Sequence, residues 1–333
     1  VVAHLAPPDR TPLQFPDLTE FRASMSNCLQ HCETQILITQ RLLQDETDYA
    51  AMRDLLIAAG ADPLLRGYCT IGDLDWWRST HADPAHIHKA SLWFVDGELA
   101  GFIWPSDNSA DLLVHPAHRD IEAAMLNWAE AHLAAADGDN APHATTWAMT
   151  QDATRVKLLE ANGHHRTEAS LTWHTADLSR TIPAPDLPDG FTLRAFAGEE
   201  EIEARVEVHR SAFHPSRMTV EKHRRVMASP TYRQAFDLLA VAADGSLAAY
   251  CIVWYDEANR FGLFEPVGTH QAFRRLGLAK AVLHHGQRRL QETSATHAHV
   301  LAAGDNAASK ALYLAAGFAV TDRVYEWRKC INV

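Results

Sequence analysis

The sequence predicts an α/β fold built twice in tandem, on three observations. An order of elements repeats at a period of roughly 150 residues, apolar strand segments alternate with amphipathic helices, and a proline-rich segment separates the copies. The 333 residues suit about two domains, and 47% hydrophobic with 22% charged residues is an ordinary globular composition. Disordered, collagenous and small disulfide-stapled chains are thereby excluded.

Residues 1–35 read as an N-terminal extension. Cys28, His31 and Cys32 are its one notable cluster, but no second ligand pair of similar spacing follows, so packed residues are expected there and no metal. Five cysteines, an odd number, point to free thiols in a reducing compartment. No run approaches the roughly 20 apolar residues of a membrane helix and no signal pattern opens the chain, so a cytoplasmic protein without membrane contact is expected.

The first copy is expected over residues 36–178. Ile36–Leu43 is β-prone, and the acidic stretch Asp45–Asp48 suits the start of a helix reaching Leu56. Leu92–Val95 and Leu99–Trp104 flank Asp96-Gly97, a hairpin signal whose turn needs positive φ. Residues 179–190 form the linker, where Pro183, Pro185 and Pro188 favour an extended path. The second copy, residues 191–333, repeats the order: strand Phe191–Phe196, acidic Glu199–Glu201, a helix to Phe213, then strands Asp237–Ala242 and Leu247–Trp254 about Asp244-Gly245. Strand Phe261–Thr269, helix Gly277–Thr293, strand His297–Ala302, helix Ala307–Ala316 and strand Val320–Arg328 complete it.

Forty-two acidic against thirty basic residues give a formal charge of −12, which repels nucleic acid and favours a cationic small molecule. The chemistry is concentrated in the second copy. After strand Phe261–Thr269 comes Arg274-Arg275-Leu276-Gly277-Leu278-Ala279-Lys280, a turn entering a helix; small residues there let backbone N–H groups and the helix dipole reach a pyrophosphate. Farther on, Asn306-Ala-Ala-Ser309 leads to Tyr313 and Gly317-Phe318, with Asn306 and Tyr313 two helical turns apart on one face.

Arg274-x-x-Gly277-x-Ala279 resembles the acetyl-CoA signature of the GNAT N-acetyltransferase superfamily, and the Asn306 to Phe318 segment resembles its second motif. The resemblance covers the chain from about Ile36 as two tandem GNAT-like domains, each a mixed twisted sheet flanked by helices, with sharp motifs only between Phe261 and Phe318. It implies acetyl-CoA as cosubstrate and direct attack by an amine, with the cofactor lying between two splayed parallel strands. Cofactor contacts would come from Val267, Gly268, Thr269, the segment Arg274 to Lys280, Asn306 and Ser309. Tyr313 matches the family's general acid, which protonates the departing thiolate.

Glu265 is the expected base. With Val267 and Thr269 it alternates at period two, placing all three on one face, where a carboxylate is an expensive neighbour for an apolar core. Relatives often carry this Glu one rung earlier, where Leu263 stands here; His270 or a water relay could substitute. His209, Phe213, His214, Arg217, Met218 and His223 fall where acceptor-binding helices are expected, and Trp76, Trp77 and Trp104 could wall a cation or pack the core.

The first copy reads as degenerate. Its turn, Arg119-Asp120-Ile121-Glu122-Ala123-Ala124, has no glycine and two carboxylates that repel a pyrophosphate, and Leu159 stands where Tyr313 does. Its expected role is to complete the acceptor pocket. The function expected is therefore N-acetylation of a small-molecule amine such as an aminoglycoside, polyamine or amino sugar. A non-catalytic acyl-CoA sensor and an acetyltransferase acting on a peptide or protein amine are the alternatives.

Overall fold

Local sequence explains most element boundaries. The Asp45 carboxylate accepts from the Thr47 and Asp48 amides and starts the first helix, and Thr70 and Asp73 form a reciprocal capping box at the third. Asp96 and Gly97 take φ of 50° and 87°, the geometry of a tight hairpin turn. The computed structural model describes residues 36–81, 84–106, 109–134 and 142–331. Cys28, His31 and Cys32 lie outside them.

The first half runs β1 (Ile38–Leu42), α1 (Glu46–Ala59), α2 (Pro63–Arg66), α3 (Ile71–Thr80), β2 (Ser91–Val95), β3 (Glu98–Pro105), β4 (Ala110–Val114), α4 (Glu122–Leu133), β5 (His143–Met149), α5 (Ala153–Ala161) and β6 (His165–Asp177). The second runs β7 (Thr192–Ala195), α6 (Ile202–Ala212), α7 (Val220–Met227), β8 (Asp237–Val241), β9 (Leu247–Asp256), β10 (Phe261–Thr269), α8 (Leu278–Gln291), β11 (His297–Ala303), α9 (Ala307–Ala315) and β12 (Ala319–Cys330). The predicted α/β repeat is present in both.

The strands form a sheet ordered β1-β2-β3-β4 and a larger one ordered β5-β12-β6-β11-β10-β9-β8-β7. The halves exchange their last strands. β6 of the first half lies between β11 and β12, with Trp173 opposite Leu301, and β12 of the second half reaches across to β5, from Val324 opposite Met149 to Cys330 opposite His143. The segment 181–190 thus separates two repeats in sequence but not in the sheet, and Ile38–Val333 form one compact unit. The segment is extended and strapped along α8: Ile182 is buried, and Arg288 donates to its carbonyl at 3.2 Å.

One face of the large sheet packs on α8 through Phe264, Val282, Leu283, Leu290 and Phe318. On the other face Trp173, Ile252, Trp254 and Leu263 pack together, and there α3 of the first half comes so close that a Cβ on Gly72 would lie 2.3 Å from the Trp254 side chain. Asp75, fully buried on the same helix, accepts from the Tyr49 hydroxyl and from the Thr231 amide of the second half, each at 2.8 Å.

These interlocks predict a single calorimetric unfolding transition. Asp75→Ala strands a buried hydroxyl and amide and is expected to cost about 3 kcal/mol, lowering the midpoint of that one transition. Two transitions, only one of them displaced by the substitution, would contradict the shared sheet.

Candidate functional site

Parallel strands β10 and β11 pair only from Phe261 opposite His297 to Leu263 opposite His299; beyond that point β10 pairs with β9 alone. The backbone edge of residues 264–269 that faces β11 therefore has no sheet partner. Polar groups on such an edge need hydrogen bonds from a ligand or water.

A bulge sits at the start of the gap. Phe264 lies opposite Val253 and Val267 opposite Cys251, so Glu265 and Pro266 share the single place opposite Ile252. Pro266 has no N–H for the ladder, and the Glu265 carbonyl instead accepts from Trp254 Nε1 at 2.6 Å. The extra residue breaks the period-two reading. Val267 aligns with Cys251 and Thr269 with Ala249 on the α8 face, while Glu265 sits with Ile252 toward the first half. Leu263 is fully buried among the tryptophans of that face.

Glu265, Val267, Asn306, Ser309 and Tyr313 line one cavity of about 400 Å³. The first half closes it, with Asp73 from α3, Asp111 from β4 and the indoles of Trp77, Trp147 and Trp173. Asp73 is held by the Thr70 amide and hydroxyl at 2.7 and 2.8 Å, and Asp111 accepts from the Ser106 hydroxyl at 2.6 Å. Burial pushes both carboxyls up to about 6, and the charge of Asp111 adds to the rise at Asp73. Burial, and secondarily the charge of Asp73, pushes Glu265 up to about 8. Among the described residues none of the three is in an ion pair; Arg155 lowers Asp111 from a distance but is itself bonded to Glu122 at 3.2 Å.

Tyr313 is buried, its ring edge-on to His174 and Phe318 at centroid distances of 5.4 and 6.2 Å. Burial, with the charge of Glu265 second, raises its pKa above the ordinary phenol value, so the hydroxyl keeps its proton. Asn306 caps α9 by accepting from the Ser309 amide at 3.0 Å, and this fixes the helix that carries Tyr313 to the cavity.

The turn Arg274–Gly277 stands apart from the cavity, exposed at the start of α8. Gly277 has φ of 79°, a left-handed conformation that disfavours side chains, and no side chain caps the amides that follow at Leu278, Ala279 and Lys280. A Cβ on Gly277 would meet no protein atom within 4 Å, so the space beside the turn is open, and uncapped amides at a helix start are the kind of donors that bind anions. Arg275 shares the positive φ, Leu276 is an exposed apolar side chain, and Arg274 donates to the Ala212 carbonyl at 3.1 Å. Gly268 is needed for close approach, since a Cβ there would lie 2.6 Å from the Tyr250 ring and 2.8 Å from Ala212.

The matching turn of the first half is filled. Arg119 pairs with Glu122 and with Asp152 at 2.9 Å, Arg155 pairs with Glu122, and the Tyr68 hydroxyl donates to Asp152 at 2.8 Å. Phe213 and Trp77 line the cavity. Trp104 stands behind Trp77 at 6.2 Å, and Trp76 packs on His209. His209 shares a hydrogen bond of 2.5 Å with the Tyr250 hydroxyl, His223 is buried beside Asp237, and Met218 is buried. His214 and Arg217 are exposed and outside the cavity lining, and His270 caps the Ala272 amide. Sequence reasoning missed Asp73 and Asp111. Their one legible signal was the Thr70-x-x-Asp73 capping box, which speaks of a helix start rather than a site.

Among the described residues no group of three or more His, Cys, Asp or Glu side chains could hold a metal ion, and no helix is long and apolar enough to cross a membrane. The arrangement can exchange a proton at Glu265 and donate one from Tyr313 within one cavity. A protonated carboxyl should therefore be visible by difference infrared spectroscopy at neutral pH, ionising near pH 8, and should vanish in Glu265→Gln. An ionised Glu265 throughout the neutral range would show that the cavity is more hydrated than its walls imply.

The profile for the Acetyltransferase (GNAT) family matches residues 202–318. A mycothiol acetyltransferase from Nocardiopsis dassonvillei is 24% identical over 316 residues, covering 84% of this chain and 94% of its own. A mycothiol acetyltransferase from Salinispora arenicola is 30% identical over 255 residues, covering 71% and 80% respectively. Among solved structures, a tandem GNAT protein from the clavulanic acid biosynthesis pathway aligns over 88% of this chain and 98% of its own at 20% identity, with a TM-score of 0.56.

Proposed function

The chain belongs to the GNAT acetyltransferase family, and we propose that its second half takes acetyl-CoA and transfers the acetyl group to a primary amine of a small molecule seated against its first half. The observation that carries this reading is the meeting of Glu265 and Tyr313 in one cavity at the gap between β10 and β11.

Acetyl-CoA supplies an activated acetyl thioester. The amides of Leu278 to Lys280 behind Gly277 would hold its diphosphate, with Arg274 to Leu276 shaping the turn. The free edge at Val267, Gly268 and Thr269 would bond the pantetheine arm, and the Asn306 amide and Ser309 hydroxyl would flank it. Glu265 takes the proton that leaves the acceptor ammonium; its raised pKa makes it a stronger base than an ordinary carboxylate once ionised. Tyr313, which keeps its proton, gives it from the phenolic oxygen to the departing sulfur. Trp77, Trp147 and Trp173 exclude water around these transfers. The shared name of the relatives favours a second reading of the acceptor, one of the mycothiol type.

Release of CoA thiol from acetyl-CoA, scanned over small amines with mass detection of the product, tests the reaction. Tyr313→Phe should lower turnover by roughly a hundredfold while acetyl-CoA affinity stays unchanged; equal turnover would remove the phenol from the mechanism. Because Glu265 accepts a proton only when ionised, kcat/KM should rise with pH through about 8, and Glu265→Gln should lose that limb. Gly277→Val, forced into a left-handed conformation, should weaken acetyl-CoA binding by roughly tenfold in a direct titration; an unchanged affinity would place the diphosphate elsewhere.

A further inference from the structure

The last turn of α6 is fastened to the strand and turn assigned to the cosubstrate. Its final residue, Ala212, lies so close to β10 that a Cβ on Gly268 would stand 2.8 Å from its own. The Ser211 hydroxyl accepts from the Gln271 amide at 3.0 Å, and the Ala212 carbonyl accepts from Arg274 Nη2 at 3.1 Å. The next residue, Phe213, lines the reaction cavity, although its side chain is largely exposed. Its ring packs on His209 at 5.0 Å, and His209 packs at 6.0 Å on Trp76 of α3, the first-half helix that also brings Asp73 and Trp77 to the cavity. One helix end thus touches the cosubstrate strand and carries a wall of the acceptor side.

Arg274 is the charged member of these ties. It stands three residues before Gly277, in the turn that leads to the uncapped amides of Leu278, Ala279 and Lys280, and among the described residues it forms no ion pair. A guanidinium has five N–H donors, and the Ala212 carbonyl takes one of them. The carbonyl end of a helix carries partial negative charge, and a diphosphate at the amides of α8 would bring more to the same turn. A cation between the two replaces their repulsion with attraction on both sides.

Resting on the acetyl-CoA reading above, we infer that Arg274 is a positioning residue that couples the two substrates: its guanidinium bonds the diphosphate and the Ala212 carbonyl together, so that the bound cosubstrate fixes the end of α6 and sets Phe213 in the cavity wall. Binding on one side then favours binding on the other, and by the same factor in both directions.

Hydrogen–deuterium exchange of the full chain, free and saturated with CoA, tests this in the native sequence and in Arg274→Met, which keeps the apolar stem and removes the charge. In the native chain CoA is expected to slow exchange roughly tenfold both at the start of α8, residues 275–283, and at the end of α6, residues 209–219. In Arg274→Met, an exposed position, CoA affinity should fall roughly tenfold; at saturation the slowing at α8 should remain and that at α6 should be lost. Slowing at α6 that survives the substitution, or slowing at α8 alone in the native chain, would overturn the inference. Faster exchange at α6 in the free variant with the CoA effect intact would do the same, since the Ala212 bond would then serve the fold alone. A variant that binds no CoA would also overturn it, because Arg274 would then hold the cosubstrate instead of coupling it to α6. CoA that slows neither segment of the native chain would defeat the acetyl-CoA reading itself, and the inference with it.

Discussion

The exchange of last strands between the two halves is the constraint on which the rest of the structure depends. β6 crosses from the first half to lie against β11, and β12 returns to lie between β6 and β5. Hydrogen-bonded ladders on both sides of these strands make the large sheet continuous, so neither half can move away without breaking them. The exchange also builds the site: Trp173 faces the cavity because its strand is paired to β11 at Leu301, beside the point where β10 and β11 have parted.

The two halves use charge in opposite ways. In the first, arginines and acids fill the turn that corresponds to the open one at Gly277, and the buried Asp152 accepts from the Tyr68 hydroxyl and from the Arg155 backbone amide. In the second, the turn is exposed and empty of side-chain caps, and the edge of β10 lacks a strand. A filled cleft gains internal pairing and loses any capacity for an anion. An open one keeps polar backbone groups for a ligand, at a cost in stability that the surrounding core at α8 offsets.

The bulge at Glu265-Pro266 links these features. Glu265 keeps the parity of Leu263, two residues earlier, and faces the first half; the extra residue turns Val267 and Thr269 to the α8 face, and without it they would share the side of the carboxyl. On that side the carboxyl meets Asp73, and the like charge together with burial makes it a basic carboxylate rather than a surface one. The proton affinity of a carboxyl in the second half is thus raised in part by a residue more than 190 positions earlier.

Element order and the hairpin turns at Asp96-Gly97 and Asp244-Gly245 were legible in the sequence, because each depends on residues close together in the chain. Glu265 and Tyr313 were picked out as candidates through the motifs around them, and the structure brings both to one cavity. Which strand neighbours which, and so the exchange of β6 and β12, depends on pairing between segments far apart in the chain, on which local periodicity is silent. The separation of Glu265 from the face of Val267 and Thr269 was decided by a bulge, and Asp73 and Asp111 became part of the cavity only when folding carried α3 and β4 to the gap in the other half. Short-range propensity determined the parts, and long-range packing decided which charges are buried together and left without a partner.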